Sequence, residues 1–312
     1  QRSYFAGWEQ MRSSDRRREM RRSRLPWNRV DNAAMLARPS GLLSRLSPGT
    51  VAIMRKDFRT IPRDLTSMAQ VLSPLSIGVF FVLQRLLYPV QMRGIVALPG
   101  MLQPLLIMLS AGIAAAVSAM ILSRFCLTGF SIEGRTYWML KSAPVSRHEL
   151  VIAKFLVAYL PYLGLGAALL VLLELARAFA DARVAGGPLL ASTAAGIHPG
   201  LLLYAWFVVA TVGAGVLAIN LALGVARPNL RWDTPHEMLT PDVGCLSLVT
   251  YGAYGFVAGF ALVVPAATVG FPLLGNPLPM WLLGLGIGLG STAFVLVGSY
   301  RLAISELATL AD

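Results

Sequence analysis

Apolar runs of about 20 residues recur along this chain, the length a helix needs to cross the ~30 Å hydrocarbon core of a bilayer. They fall at Leu65–Tyr88, Met101–Ser123, Leu150–Leu175, Pro199–Ala226, Leu246–Gly270 and Pro279–Tyr300. Within lipid a backbone finds no water, so a crossing segment must be a helix or part of a closed barrel. A barrel needs segments of about ten residues with alternating polarity, and the runs here are continuously apolar. The expected fold is therefore all-α and membrane-integral, with six transmembrane helices. Composition agrees: of 312 residues, 56% are hydrophobic and only 13% charged, against about 25% charged in a soluble domain.

Charge sets the orientation. The formal net charge is +12, and 15 of the 27 Lys and Arg residues precede the first run. Arg124, Arg135, Lys141, Arg147, Lys154, Arg227, Arg231 and Arg301 sit at loops or run ends on the same side, leaving Arg85, Arg93, Arg177 and Arg183 opposite. Basic residues stay in the cytoplasm, so both termini are expected there, and the positive balance reflects topology rather than nucleic-acid binding. Residues 1–50 read as a basic cytoplasmic linker or arm, and 51–312 as the membrane domain. The run DRRREMRRSR at 15–24 suits anionic lipid headgroups as partners; a solvated juxtamembrane arm is the compatible alternative. Cys126 and Cys245 lie near cytoplasmic run ends, where no structural disulfide is expected. The polar N-terminal segment has no signal-peptide character. The chain starts at Gln1 rather than Met, which reads as a processed product or part of a longer polypeptide.

Between the arm and the first run, VAIMRKDFRTIPRDL spaces Val51, Met54, Phe58 and Ile61 by three and four. Arg55, Lys56, Asp57 and Arg59 fill the remaining positions. This is an amphipathic interfacial helix over 51–64, broken by Pro62 and followed by Arg63 and Asp64. In the last run, GLGIGLGS at 284–291 resembles a dinucleotide-binding string but lies inside an apolar segment with no preceding strand. Its Gly284/Gly288 and Gly286/Gly290 spacings are expected to permit close helix packing instead. The 176–198 loop is long enough for a small re-entrant or surface helix, and FPLLGNPLP at 271–279 reads as a tight turn.

Several chemistries are excluded. No GxxxxGK[ST] loop exists to cradle phosphates, so ATP hydrolysis is not expected of this chain. His148, His198 and His236 lie in different loops, and Thr240 stands where the second histidine of a zinc-protease motif would be. No metal, no catalytic residue and no cofactor are expected. The run interiors hold no carboxylate or histidine of the kind ion-coupled transporters use; Glu174, close to Arg177, lies at an outer end. If the protein moves a solute, the energy comes from a partner.

SIEGRTYWMLKSAPVSRHELVIAK at 131–154 is too long and too rich in mixed aromatics and charges for a plain connector. Ser146 and Glu149 form an S-x-x-E capping box leading into the third run. Gly134 to Lys141 has the length of about two helical turns, with Tyr137, Leu140 and Lys141 on one side and Trp138 beside them. Such a knob suits docking to a partner protein. An interfacial helix with its aromatics at headgroup depth fits equally.

The segment EGRTYWMLKSAPVSRHELVIAK resembles the first cytoplasmic loop of type-2 ATP-binding-cassette (ABC) transporter permeases, in particular their bacterial exporter branch. There, EGR-aromatic-W-x-L-K-S-x-P-V/I-S precedes a helix with an early lysine. MRKDFRTIPRD at 54–64 is similar to that family's amphipathic elbow helix, and ARPNLRWDTPHEM at 226–238 to its second cytoplasmic loop. The resemblance covers about residues 51–301. It implies a permease subunit or half in the bacterial inner membrane, pairing with cytoplasmic ABC ATPase subunits that bind ATP and Mg. A second permease half is also implied, as a homodimer or as an upstream half of a longer chain. The 131–149 loop would be the coupling helix, with Glu133, Gly134, Arg135, Tyr137, Trp138, Leu140, Lys141, Ser142, Ala143 and Pro144 as contacts. Glu133 and Arg135 would exchange salt bridges with the ATPase, Trp138 and Leu140 would anchor, and Pro144 would set the turn. Arg55, Lys56, Asp57, Phe58, Arg59, Arg63 and Asp64 of the elbow, with Asn229, Trp232 and Asp233 of the second loop, complete the set. The resemblance implies export as the family's default direction, and the apolar runs suggest a lipophilic or amphipathic substrate. The rival reading is a non-transporting membrane scaffold or assembly factor that recruits a soluble partner through the same loop.

Overall fold

A computed structural model of the chain describes residues 46–60, 65–87, 103–142, 145–185, 199–230, 232, 235–270 and 278–309. The α-helices are α1 (Pro48–Thr60), α2 (Leu65–Leu87), α3 (Gln103–Leu127), α4 (Tyr137–Ser142), α5 (Arg147–Ala185), α6 (Pro199–Ala226), α7 (Pro241–Gly270) and α8 (Leu278–Thr309). Short 3-10 turns at Ser131–Thr136 and Pro235–Met238 sit in the connections. Among the described residues there is no strand, so the all-α expectation holds. Residues 1–52 and 53–312 cluster as separate units. The described part of the first unit opens α1, where the Thr50 amide donates to Ser47 Oγ at 3.2 Å and Pro48 takes the first helical position, whose amide needs no partner.

Among the described residues, five helical stretches are long and apolar enough to cross a membrane: Pro104–Gly134, Arg147–Ala180, Pro199–Ala226, Pro241–Thr268 and Leu278–Thr309. The expected first span is different. Its helix α2 carries Pro74 internally, and its described apolar stretch, Leu72–Leu87, is shorter than the others. The third run also departs from expectation, because α5 has 39 residues. At 1.5 Å per residue that is roughly 58 Å, well beyond one hydrocarbon core. Helix continues through Ala185, where part of a long loop was expected; the remainder, 186–198, lies outside the described residues, as does the 271–277 part of the FPLLGNPLP turn. The capping box forms as expected: the Ser146 amide donates to Glu149 Oε2 at 2.9 Å, and the Glu149 amide to Ser146 Oγ at 3.3 Å.

Helix α6 is the centre of the second unit, packing against α3, α5, α7 and α8. Its composition explains the position. Small residues on several faces let neighbours approach closely, as in membrane helix pairs generally, and tyrosines fill the space they leave. Tyr162 of α5 donates to the Val209 carbonyl at 2.9 Å, Tyr159 to Ala210 at 3.2 Å, and Tyr254 of α7 to Thr211 at 3.4 Å. Three successive carbonyls of α6 thus accept hydroxyls from two flanking helices. A Cβ on Gly213 would lie 2.0 Å from the Tyr162 ring, and one on Gly215 2.2 Å from Tyr254. Deeper in α6, Asn220 is fully buried; its Nδ2 donates to the Val216 carbonyl at 2.8 Å and its Oδ1 accepts from Ser247 of α7.

The glycine string of α8 packs on one side only. A Cβ at Gly284 would meet the Ala261 carbonyl at 2.7 Å, and one at Gly288 the Leu262 side chain at 2.5 Å, whereas Gly286 and Gly290 face open space. The second glycine pair therefore makes no close contact, contrary to the reading of both spacings as packing faces. Gly213→Ala is expected to lower stability by about 1–3 kcal/mol, because the Tyr162 ring must leave a close-packed site. Thermal unfolding in detergent measures it, and an unchanged midpoint would refute the packing.

Candidate functional site

The sequence motifs on α1, on the 131–136 turn and at the start of α5 meet in one charged cluster. The Ile53–Thr60 part of α1 supplies Lys56 and Asp57, the 3-10 turn supplies Glu133, and the second turn of α5 supplies Lys154. Lys154 Nζ lies 2.8 Å from Glu133 Oε1 and 2.9 Å from Asp57 Oδ2. Lys56 Nζ reaches Glu133 Oε2 at 2.6 Å and lies 3.9 Å from Asp57 Oδ1. The side chains of Lys154, Glu133 and Asp57 are 5%, 8% and 10% exposed, and that of Lys56 is 46% exposed. Two ammonium groups thus face two carboxylates, the balance that buried charge requires.

Two expectations change here. Asp57, assigned to the charged face of α1, is buried. An opposite charge waiting on α5 draws Asp57 inward, and apolar spacing alone carries no sign of it. Glu133, expected to reach out to a partner protein, is 9% exposed and directs its carboxylate inward to the two lysines.

The second loop closes over the same turn. Trp232 Nε1 donates to the Ser131 carbonyl at 2.6 Å, and the Asn229 amide donates to Ser131 Oγ at 3.2 Å. Asn229 Nδ2 in turn donates to the Glu237 carbonyl at 2.6 Å, tying down the second 3-10 turn. Gly134 has φ 47° and ψ −130°, a conformation essentially reserved for glycine. A Cβ there would lie 3.0 Å from Trp232 Nε1. Glycine is thus required twice, for the backbone and for the approach of the indole. It kinks the 3-10 segment from within, and the following helix runs from Tyr137 to Ser142 rather than from Gly134 to Lys141.

Helix α4 carries Tyr137 and Leu140, both half-buried, and the exposed Ser142, with Trp138 and Lys141 on the same helix. Burial pushes the Tyr137 hydroxyl above its ordinary value against the opposing pull of Arg147. Arg135 lies in the 3-10 turn, Arg55 is half-buried and Arg59 exposed on α1. Ala143, Pro144, Arg63, Asp64 and Asp233 lie outside the described residues. Of the sequence-assigned residues, the structure brings together Lys56, Asp57, Glu133, Gly134, Asn229 and Trp232. It adds Lys154 and Ser131. Lys154 had a signal in the sequence: an isolated lysine early in an apolar run needs a carboxylate partner. Ser131 had none.

The exposures rank the cluster's members. Lys154→Ala leaves Asp57 and Glu133 without their buried cation and is expected to cost about 3–5 kcal/mol. Lys56→Ala removes a half-exposed partner and should cost no more than about 1 kcal/mol. Denaturant unfolding in detergent compares them, and equal losses would contradict the geometry. Gly134→Ala should displace Trp232 from Ser131, seen as faster proteolysis of the 227–240 loop than in the wild type.

A family model described as "Putative ATP-binding cassette" matches residues 1–272. Searches of curated proteins and of solved structures found no match. The matched stretch contains α1 through α7 and every residue of the charged cluster, so the chain belongs to the ATP-binding cassette family that this model describes.

Proposed function

We propose that this chain is the membrane-spanning permease subunit, or half, of an ATP-driven ABC transporter, working as an exporter of a lipophilic or amphipathic substrate. The family's description speaks of ATP binding, while the chain has no phosphate-cradling GxxxxGK[ST] loop. ATP and Mg therefore belong to a separate cytoplasmic ATPase that docks on the 131–149 segment. In this reading α2 is a sixth span, both termini are cytoplasmic, and the chain pairs with a second permease half in a bacterial inner membrane.

The observation that carries the reading is the shared charged cluster. Through Lys56, Asp57, Glu133 and Lys154, the turn just before α4 is bonded both to α1 and to the first turns of α5. A force applied at α4 would pass into α5 without a flexible joint at that turn. α5 in turn packs on α2, α3 and α6, so displacement of its end would tilt much of the bundle. Closure of two ATPase subunits could then move the spans between inward-open and outward-open or occluded states. Glu133 in this scheme positions the docking helix instead of touching the ATPase.

The test is co-purification of the tagged protein from its native membrane in mild detergent, with ATP hydrolysis assayed in the eluate. The wild type should retain an ATPase. Trp138→Ala/Leu140→Ala should weaken retention at least ~30-fold, the effect of losing about 2 kcal/mol at an interface anchor. A wild-type eluate without ATPase activity would refute the permease reading and favour a scaffold.

A further inference from the structure

Helices α5 and α8 both pack on α6 but meet each other only sparsely, and the gap between them is an apolar groove of about 530 Å³. Val151, Leu221 and Ala303, all buried, are among the residues of its floor, and Ile152, Phe155 and Val297 among those of its walls. At one end the character changes. Tyr300 and Arg301 belong to the lining, and Tyr300 Oη lies 2.6 Å from His148 Nδ1, bridging α8 to α5. Arg301 and His148 are exposed there. The neighbouring carboxylate of Glu149 is held by the Ser146 amide in the helix cap.

We propose that this groove binds one acyl chain of an anionic phospholipid, with the headgroup phosphate at Arg301 and His148. Three features select that occupant. The volume is that of a small-molecule site, in the ~300–1,000 Å³ range, and is too slight for a packed helix about 10–12 Å across. The lining is apolar along its length and cationic at one end only, matching an amphiphile with a negative head. The walls open sideways: Ile152 is 38% and Val297 51% exposed, on helices long and apolar enough to lie in a bilayer. A seated lipid would wedge α5 and α8 apart near the bridge and so bias the position of α5. The inference needs only that the chain lies in a membrane, and it stands apart from whether an ATPase docks on α4.

Purified full-length protein is titrated with phosphatidylglycerol and, separately, phosphatidylcholine, and retained lipid is counted by native mass spectrometry. The wild type should retain phosphatidylglycerol more strongly. Arg301→Gln should bring it about five-fold closer to phosphatidylcholine, the effect of one cation near a charged lipid. Val297→Trp should reduce retention of both lipids, with Ile152→Trp as the second filling variant if the first fails to fold; thermal unfolding confirms folding in each. Equal retention of the two lipids by the wild type would overturn the proposal, as would filling variants that bind like the wild type. A filling variant that changes only the monomer–dimer balance would assign the groove to a second copy of the chain and overturn it too.

Discussion

Everything at the charged end of this molecule depends on where the Lys154 ammonium goes. It stands in the second turn of α5, buried at the start of that helix's long apolar stretch, where an unpaired charge would be costly. Two carboxylates from distant parts of the chain, Asp57 and Glu133, lie within 2.9 Å and 2.8 Å of it. That requirement fixes α1 against α5 and holds the 131–136 turn between them. Lys56 completes the balance from the solvent side. Since the charges match, no member is left as an isolated buried ion, and the turn is held by bonds that resist sliding as apolar contacts do not.

A second constraint acts deeper in the bundle. Membrane helices gain little from hydrophobic sorting against lipid, so packing and hydrogen bonds decide their neighbours. Helix α6 answers with glycines at 213 and 215 and with carbonyls at 209, 210 and 211 that take tyrosine hydroxyls. The pattern places three aromatic side chains from α5 and α7 at one level of the central helix. α8, by contrast, buries only Gly284, Gly288, Thr292, Ala303 and Leu307. Its remaining surface carries large apolar residues such as Phe294, 80% exposed, as suits a helix with a lipid-facing side.

Around the site, the sequence was legible where local physics governs it. The Ser146–Glu149 cap follows from spacing alone, whereas Gly134, expected to start the docking helix, is instead a kink before it, in a conformation other residues adopt only with strain. The resemblance to ABC permease loops assigned Lys56 and Asp57 to an interfacial helix, Glu133 to a coupling helix and Asn229 and Trp232 to a second loop, and the structure brings these three separate groups together around Ser131 and Lys154. The resemblance carried no orientation for Glu133. A carboxylate in a loop reads as outward-facing until the lysine it serves is known, and that lysine is 21 residues away in sequence. The periodicity of α1 misplaced Asp57 for the same reason. Apolar spacing assumes that charges face water, and a paired charge need not.

The sequence by itself determined that this chain is helical and built to lie in a membrane. Long apolar segments can satisfy their backbones in no other common way, and no phosphate-binding loop is present to serve ATP. It also determined the helix cap, which depends on two residues three apart. Only the tertiary structure decided which charge meets which and which glycine pair of α8 packs. It alone placed three tyrosines on adjacent carbonyls of α6 and left a groove between α5 and α8. Those outcomes depend on side chains far apart in sequence reaching the same few ångströms, and no local pattern encodes that distance.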